Sequence, residues 1–273
     1  VAGPAMNRPS ADQAFDPIDP APAGVERYVV VSIDLEMRWG RPDRLRADID
    51  ACRASFEAGR AAVPEILRIL RERRLNATWA AVGALACSGW DEYFRRAPKP
   101  PRYRDRGLAF DPRYADLDPG GALHFAPAEL GLIANSPGQD LGTHTFSHLY
   151  MREPGISASD VADDLEAARR LWFEAFGREP LSLVFPRNQP NFLNIVEQAG
   201  ILVWRGNPET WYHDRHEAGR SSMVSRGLRF ADALVPLSKA ASPMEKRNCR
   251  ASAFVRFDLP VPLWRLHVSR LRR

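Results

Sequence analysis

The chain has 273 residues, enough for one large domain with a full hydrophobic core. Hydrophobic residues make up 45% and charged residues 26%, a balance of the globular kind, and no run of about 18 apolar residues occurs, so no membrane span is expected. The 38 basic and 34 acidic residues nearly cancel to a formal charge of +4, which reads as an ordinary mixed surface and argues against a nucleic-acid partner.

Residues 1–26, rich in Pro, Ala and Asp, read as a disordered lead-in. They lack the basic start and apolar stretch of a secretory signal, so a cytoplasmic location is expected. Tyr28 to Ile33 is then a continuous apolar, β-branched run, as expected of a strand buried on both faces of a parallel sheet. Val63, Ile66, Leu67 and Leu70 fall on one helical face. Pro64 is tolerable only in a first turn, so that helix is expected to start close to Ala62. A second strand is expected over Asn76–Val82.

Three prolines, Pro98, Pro100 and Pro101, interrupt residues 84–135, which read as a loop-rich insertion with a helix near Pro127–Ala134. Gln139–Thr143 is a short strand. Ser159 is placed to cap a helix running to Phe176, with Asp160, Asp163 and Asp164 in its first turns and Gly177 after its end. A strand over Leu181–Phe185, a short helix over 190–199 and a strand over Ile201–Trp204 follow. The alternation predicts an α/β fold with parallel strands, in which chemistry sits at the strands' carboxyl ends. Cys52, Cys87 and Cys249, odd in number and far apart, suggest no disulfide framework.

That rule selects the polar residues worth attention. Asp34 and Glu36 end the first strand, two positions apart, and an extended segment sends both carboxylates to one side. Like charges so close conflict unless a cation lies between them. His144 and His148 directly follow the third strand, and a spacing of four puts both rings on one face of a helical turn. Two His and a carboxylate leave positions open on a metal, as catalytic sites require. Arg187 follows the fourth strand, where it either orients a carboxylate, binds substrate oxygens or is a plain surface residue. Trp211 and Tyr212 either stack on a sugar ring or pack at the edge of the core.

In order and spacing, these segments resemble the NodB-type polysaccharide deacetylases, carbohydrate esterase family 4. Ser32-Ile-Asp-Leu-Glu36 is similar to the family's first motif, usually TFDDG, and the resemblance makes Asp34 the general base and Glu36 a metal ligand. Asn76 to Gly83 resembles the strand written ATFF. Asp140 to His148 contains the His-box, H(S/T)xxH, and carries His144 and His148 over as ligands. Phe185-Pro-Arg-Asn-Gln189 resembles the Arg motif, in which Arg187 would help position the base.

The chain also departs from the pattern. Glu36 stands in place of the usual Asp, and the Arg motif lacks the Pro-Tyr that normally follows. Arg205 to Trp211 keeps the Trp of the fourth motif without an evident Asp. For the last motif, whose His is the general acid, His267 is the only candidate, and it lies in an Arg-rich stretch of helical character.

The resemblance therefore implies a distorted (β/α) barrel, incomplete at the C-terminus. It makes residues 27–273 one deacetylase-like domain. It also implies a divalent metal, zinc by default with Co, Ni or Fe compatible, and a carbohydrate partner. The implied activity is removal of acetyl groups from N-acetylated sugars. A hydrolase of other C–N bonds and a non-catalytic carbohydrate-binding or scaffold module are the competing readings.

Overall fold

The structure is a computed structural model that describes residues 30–40 and 49–206. Among these, five strands form one parallel sheet in sequential order: β1 (Ser32–Leu35), β2 (Ala77–Ala81), β3 (Gln139–Thr143), β4 (Ser182–Val184) and β5 (Val203–Arg205). Sequential parallel order with helical connections is that of a (β/α) barrel, and the sheet curls until β5 reaches β1. Arg205 Nη1 on β5 donates to Ser32 Oγ on β1 at 3.0 Å. The result is a partial (β/α) barrel, as the resemblance implies.

The register fixes where chemistry can happen. Leu35 pairs with Ala81, Ala81 with Thr143, Thr143 with Leu183, and Leu183 with Trp204. Glu36 and His144 thus step off the ends of β1 and β3, with β2 between them, at the same rim. The strand β1 is less buried than its apolar lead predicts. Its residues are half-buried or exposed, and Val30 is 46% exposed. The reason is position: among the described residues β1 is hydrogen-bonded only to β2 and forms an edge.

The helix after β1, α1 (Ile49–Glu72), starts well before Ala62 and contains Pro64 in its interior. An interior proline removes a hydrogen bond and costs about 3 kcal/mol. Tertiary anchoring offsets that cost. Phe56 packs on the core, and the Arg60 guanidinium reaches Glu129 at 2.9 Å and the carbonyls of Ala122 and Phe125. Propensity alone carries no sign of such anchors.

Residues 84–135 are more ordered than a loop-rich insertion. They hold α2 (Trp90–Arg96), α3 (Arg113–Leu117) and α4 (Pro127–Ala134), with 3-10 turns at Gly83–Ala86 and Arg106–Leu108. Aromatic burial organises them. Trp39 stacks on Phe110 at 5.5 Å, and Trp90 lies 4.8 Å from both His124 and Phe125. Each large apolar side chain fully buried there contributes roughly 1.5–3 kcal/mol. The prolines interrupt helices without unpacking the segment.

The connection from β3 to β4 is α5 (Ala158–Phe176). Its N-cap is Ser157, two residues before the predicted Ser159, in a reciprocal capping box with Asp160. Gly177, at φ 68°, closes it in the left-handed region where glycine is unstrained. The short helix α6 (Leu193–Gln198) precedes β5. No helix among the described residues is long and apolar enough to cross a membrane.

Candidate metal centre and its surroundings

The loop after β3 is wired in place by its own backbone. Thr145 (φ 64°) and His148 (φ 58°) occupy the left-handed region, which costs a residue with a side chain about 1 kcal/mol or more. Thr145 Oγ1 accepts from Leu149 N at 2.7 Å and closes the turn. From α5, the fully buried Asp164 carboxylate accepts from Phe146 N at 2.6 Å, from Ser147 N at 3.1 Å, and from Ser147 Oγ. Burial raises the Asp164 pKa more than these hydrogen bonds lower it, to about 6. Gly83 permits a close approach on the other side. A Cβ there would stand 2.8 Å from Phe146 Cα.

These constraints turn His144 and His148 onto Glu36. His144 Nε2 lies 3.0 Å and His148 Nε2 3.3 Å from the same oxygen, Glu36 Oε1. One ligand atom from each of the three residues falls within 4.8 Å of the others. Both His rings are buried. Gly40 makes room for the longer acid, since a Cβ at that position would collide with Glu36 Oε2. The extra methylene of Glu relative to Asp is thus matched by a missing one at Gly40.

The donor chemistry tests whether a cation fits. His144 Nδ1 lies 2.7 Å from Val184 O. A carbonyl only accepts, so Nδ1 carries the hydrogen, and in a neutral ring Nε2 is a bare lone pair. That lone pair faces a carboxylate oxygen. His148 is buried with both ring nitrogens lacking a hydrogen bond. Burial lowers its pKa, with the Arg187 charge acting the same way and Glu36 opposing, so the neutral ring is favoured. Burial acts to raise the Glu36 pKa, but donation and charge attraction from the two His in their protonated form would outweigh it and hold the carboxyl below its ordinary range. Two bare nitrogens converging on one carboxylate are a donor set that a divalent cation completes. The carbonyl behind His144 is the usual outer support of such a ligand.

Asp34 lies beside this cluster, held by a residue that the sequence did not single out. Arg205 Nη1 donates to Asp34 Oδ1 and Nη2 to Oδ2, both at 3.1 Å, and Nη2 also reaches Asn188 Oδ1 at 3.0 Å. The resemblance assigns the base-positioning role to Arg187, and among the described residues Asp34 has Arg205 as its partner instead. Arg187 stacks on the Tyr150 ring, 4.0 Å from its centroid, and its nearest acid is Glu153 at 3.9 Å. The physical reason is the backbone. Arg187 (φ 53°) and Asn188 (φ 52°) are both left-handed, and Asn188 is the residue that reaches Arg205. Arg205 is the first residue after the predicted fifth strand, so the strand-end rule applied once more would have found it. Asp164 had its own signal, an acid on the apolar face of a helix beside Val161, Leu165 and Ala168. Trp211, Tyr212 and His267 lie outside the described residues, as does Cys249. Cys87 is a buried free thiol, its pKa pushed up to about 12 by burial.

Comparison with known proteins bears on the whole arrangement. The family model for polysaccharide deacetylases matches residues 48–204, more than half of the chain. It takes in His144, His148 and Arg187 and begins after Glu36. No curated protein matches the sequence. A candidate polysaccharide deacetylase from Mycobacterium smegmatis is similar at 15% identity, with a TM-score of 0.44, over 66% of this chain and 51% of that one. A family 4 carbohydrate esterase from Streptomyces lividans, in complex with acetate, is similar at 12% identity, with a TM-score of 0.35, over 66% and 62%. A CE4 family pseudoenzyme from Bacillus anthracis is similar at 14% identity, with a TM-score of 0.36, over 63% and 40%. The chain spans about half the length of the first of these.

Proposed function

This chain belongs to the polysaccharide deacetylase family, and we propose that it is a metal-dependent hydrolase that removes acetyl groups from N-acetylated sugars. The observation that carries the reading is the convergence of Glu36, His144 and His148, three ligand atoms within 4.8 Å, beside the Asp34–Arg205 pair.

Glu36 Oε1 and the two His Nε2 atoms would hold a divalent cation, zinc by default. Such an ion supplies Lewis acidity, making a water more acidic and a carbonyl more electrophilic. Asp34 takes the proton from the attacking water. A carboxylate has about four lone-pair sites, and Arg205 occupies one on each oxygen, so one on each remains for that proton. Arg205 fixes the direction in which those sites point. The water's oxygen adds to the acetamide carbonyl carbon, the C–N bond breaks, the amine leaves with the proton that Asp34 returns, and acetate is released. His144 is kept in one tautomer by Val184 O throughout.

The test is acetate release from N-acetylglucosamine oligomers by zinc-loaded protein. Wild type should release acetate and chelated protein should not. Turnover that survives complete metal removal would sink the scheme. Sugar binding without acetate release would favour a non-catalytic carbohydrate-binding member of the family.

A further inference from the structure

We propose that Arg187 is a recognition site for a carboxylate on the sugar substrate, adjoining the ligand cluster. The inference rests on the deacetylase reading and names the class of substrate that the centre takes: an acidic N-acetylated saccharide.

Among the described residues, Arg187 makes no hydrogen bond at this rim, and its ion pair with Glu153 is long, at 3.9 Å. Asp34 already has both oxygens on Arg205, and Arg205 is further engaged by Ser32 and Asn188. Glu36 faces two histidines. Glu153 approaches Arg187 only to 3.9 Å, beyond hydrogen-bonding distance, and its Oε1 instead accepts from Gln189 Nε2 at 3.3 Å. Among the described residues, none accepts a hydrogen bond from the Arg187 guanidinium.

The group is nonetheless held in position. The left-handed backbone at Arg187 and Asn188 is a local cost that the surrounding structure sustains. The guanidinium lies over the Tyr150 ring, which is fully buried, and that ring meets His148 edge-on at 5.2 Å between centroids. Arg187, Tyr150 and His148 therefore form one continuous wall ending at the ligand cluster. The Arg187 side chain is 29% exposed, so its edge opens to solvent. A planar fork stacked on an aromatic face offers parallel N–H groups to a pair of oxygens, the geometry that suits a carboxylate. A sugar whose acetamide sits at the cluster would bring a neighbouring acidic substituent to that edge.

The experiment is calorimetric binding to the full, zinc-loaded chain. The probes are an N-acetylglucosamine tetramer and two acidic tetramers, one with a lactyl ether carboxylate on a neighbouring sugar, one with a hexuronate neighbour. At low salt, wild type should bind at least one acidic tetramer about 10-fold more tightly than the neutral one. Salt should shrink that advantage. Arg187→Gln should bring the ratio close to one, and Arg187→Lys, which keeps the charge without the fork, should restore part of it. Equal affinities in wild type, no binding of either acidic tetramer, or an advantage that survives in Arg187→Gln would overturn the proposal. Acetate release measured on the same samples separates the two ideas. A binding ratio that depends on Arg187 with no acetate released from any tetramer sinks the deacetylase reading and not the carboxylate site.

Discussion

Arg205 grips Asp34 through both terminal nitrogens at 3.1 Å, across 171 residues of sequence and across the open side of the curled sheet. The pair joins the last described strand to the first. If Asp34 is the base, its aim depends on Arg205, because a misplacement of about 1 Å costs roughly 100-fold in rate. Arg205→Met should lower kcat by about that factor while bound metal is unchanged. Asp34→Asn should also keep metal and lose about 100- to 10,000-fold, the usual span for a general base. Steady-state acetate release beside metal analysis of the same preparations checks both.

Loss of a ligand should behave differently. Wild type should carry about one divalent ion per chain after zinc is supplied, and His144→Ala, His148→Ala and Glu36→Gln should each lose it. A ligand that binds only the native state stabilises by mass action, about 2.7 kcal/mol at 100 times its Kd. Chelation should therefore lower the Tm of wild type and leave that of His144→Ala where it was. Calorimetric melting with and without chelator reads this directly.

Gly40 offers a change that touches the ligand and spares the fold. An added Cβ would meet the far end of the Glu36 side chain, a flexible group that can swing away. Gly40→Ala should weaken zinc binding about 10- to 100-fold, the range seen when a ligand's support is altered, with little change in the Tm of metal-free protein. A competitive zinc titration gives the first number and thermal melting the second. Unchanged affinity would mean that Glu36 is not a ligand in the orientation described.

Asp164 predicts a pH dependence with a definite sign. An Asp in the unfolded chain titrates at about 3.9, and in the folded protein burial pushes this one to about 6. Between those values the folded state binds more protons than the unfolded state. Stability from this residue is therefore full below pH 4, falls as pH rises towards 6, and is flat above. The drop is about 3 kcal/mol in order of magnitude. Urea unfolding of wild type and Asp164→Asn at pH 4, 5 and 6 should show that slope as the difference between the two. A variant whose slope matches wild type would remove Asp164 as its source.

Much of this was legible in the sequence, and the unread parts have identifiable causes. Strand β3 and helix α4 fall at the predicted residues, and for α4 the N-terminal proline is a local signal. The His pair and the two carboxylates were found by the rule that strand ends carry chemistry. The early start of α1 was not, because Arg60's contacts with Ala122, Phe125 and Glu129 lie more than 60 residues away in sequence. The order within 84–135 was hidden for the same reason, since Trp90 packs against Trp39 and Phe125. Arg205 was not singled out because a resemblance supplies roles by motif, whereas the guanidinium that reaches Asp34 comes from the end of β5.

The spacing of these contacts along the chain also sets an order of assembly. Glu36 meets His144 across 108 residues, so the ligand set cannot exist before three strands have been made and paired. Long-range parallel pairing of this kind is slow. The chain synthesised between His148 and Arg205 adds roughly three to eleven seconds at 5–20 residues per second. On the ribosome the nascent protein would therefore possess a place for its cation before it possesses an aimed base. Any cation captured in that interval would fasten β1 to the loop after β3 while β4 and β5 are still emerging, so that on the proposed reading the aim of Asp34 follows the capture of the ion.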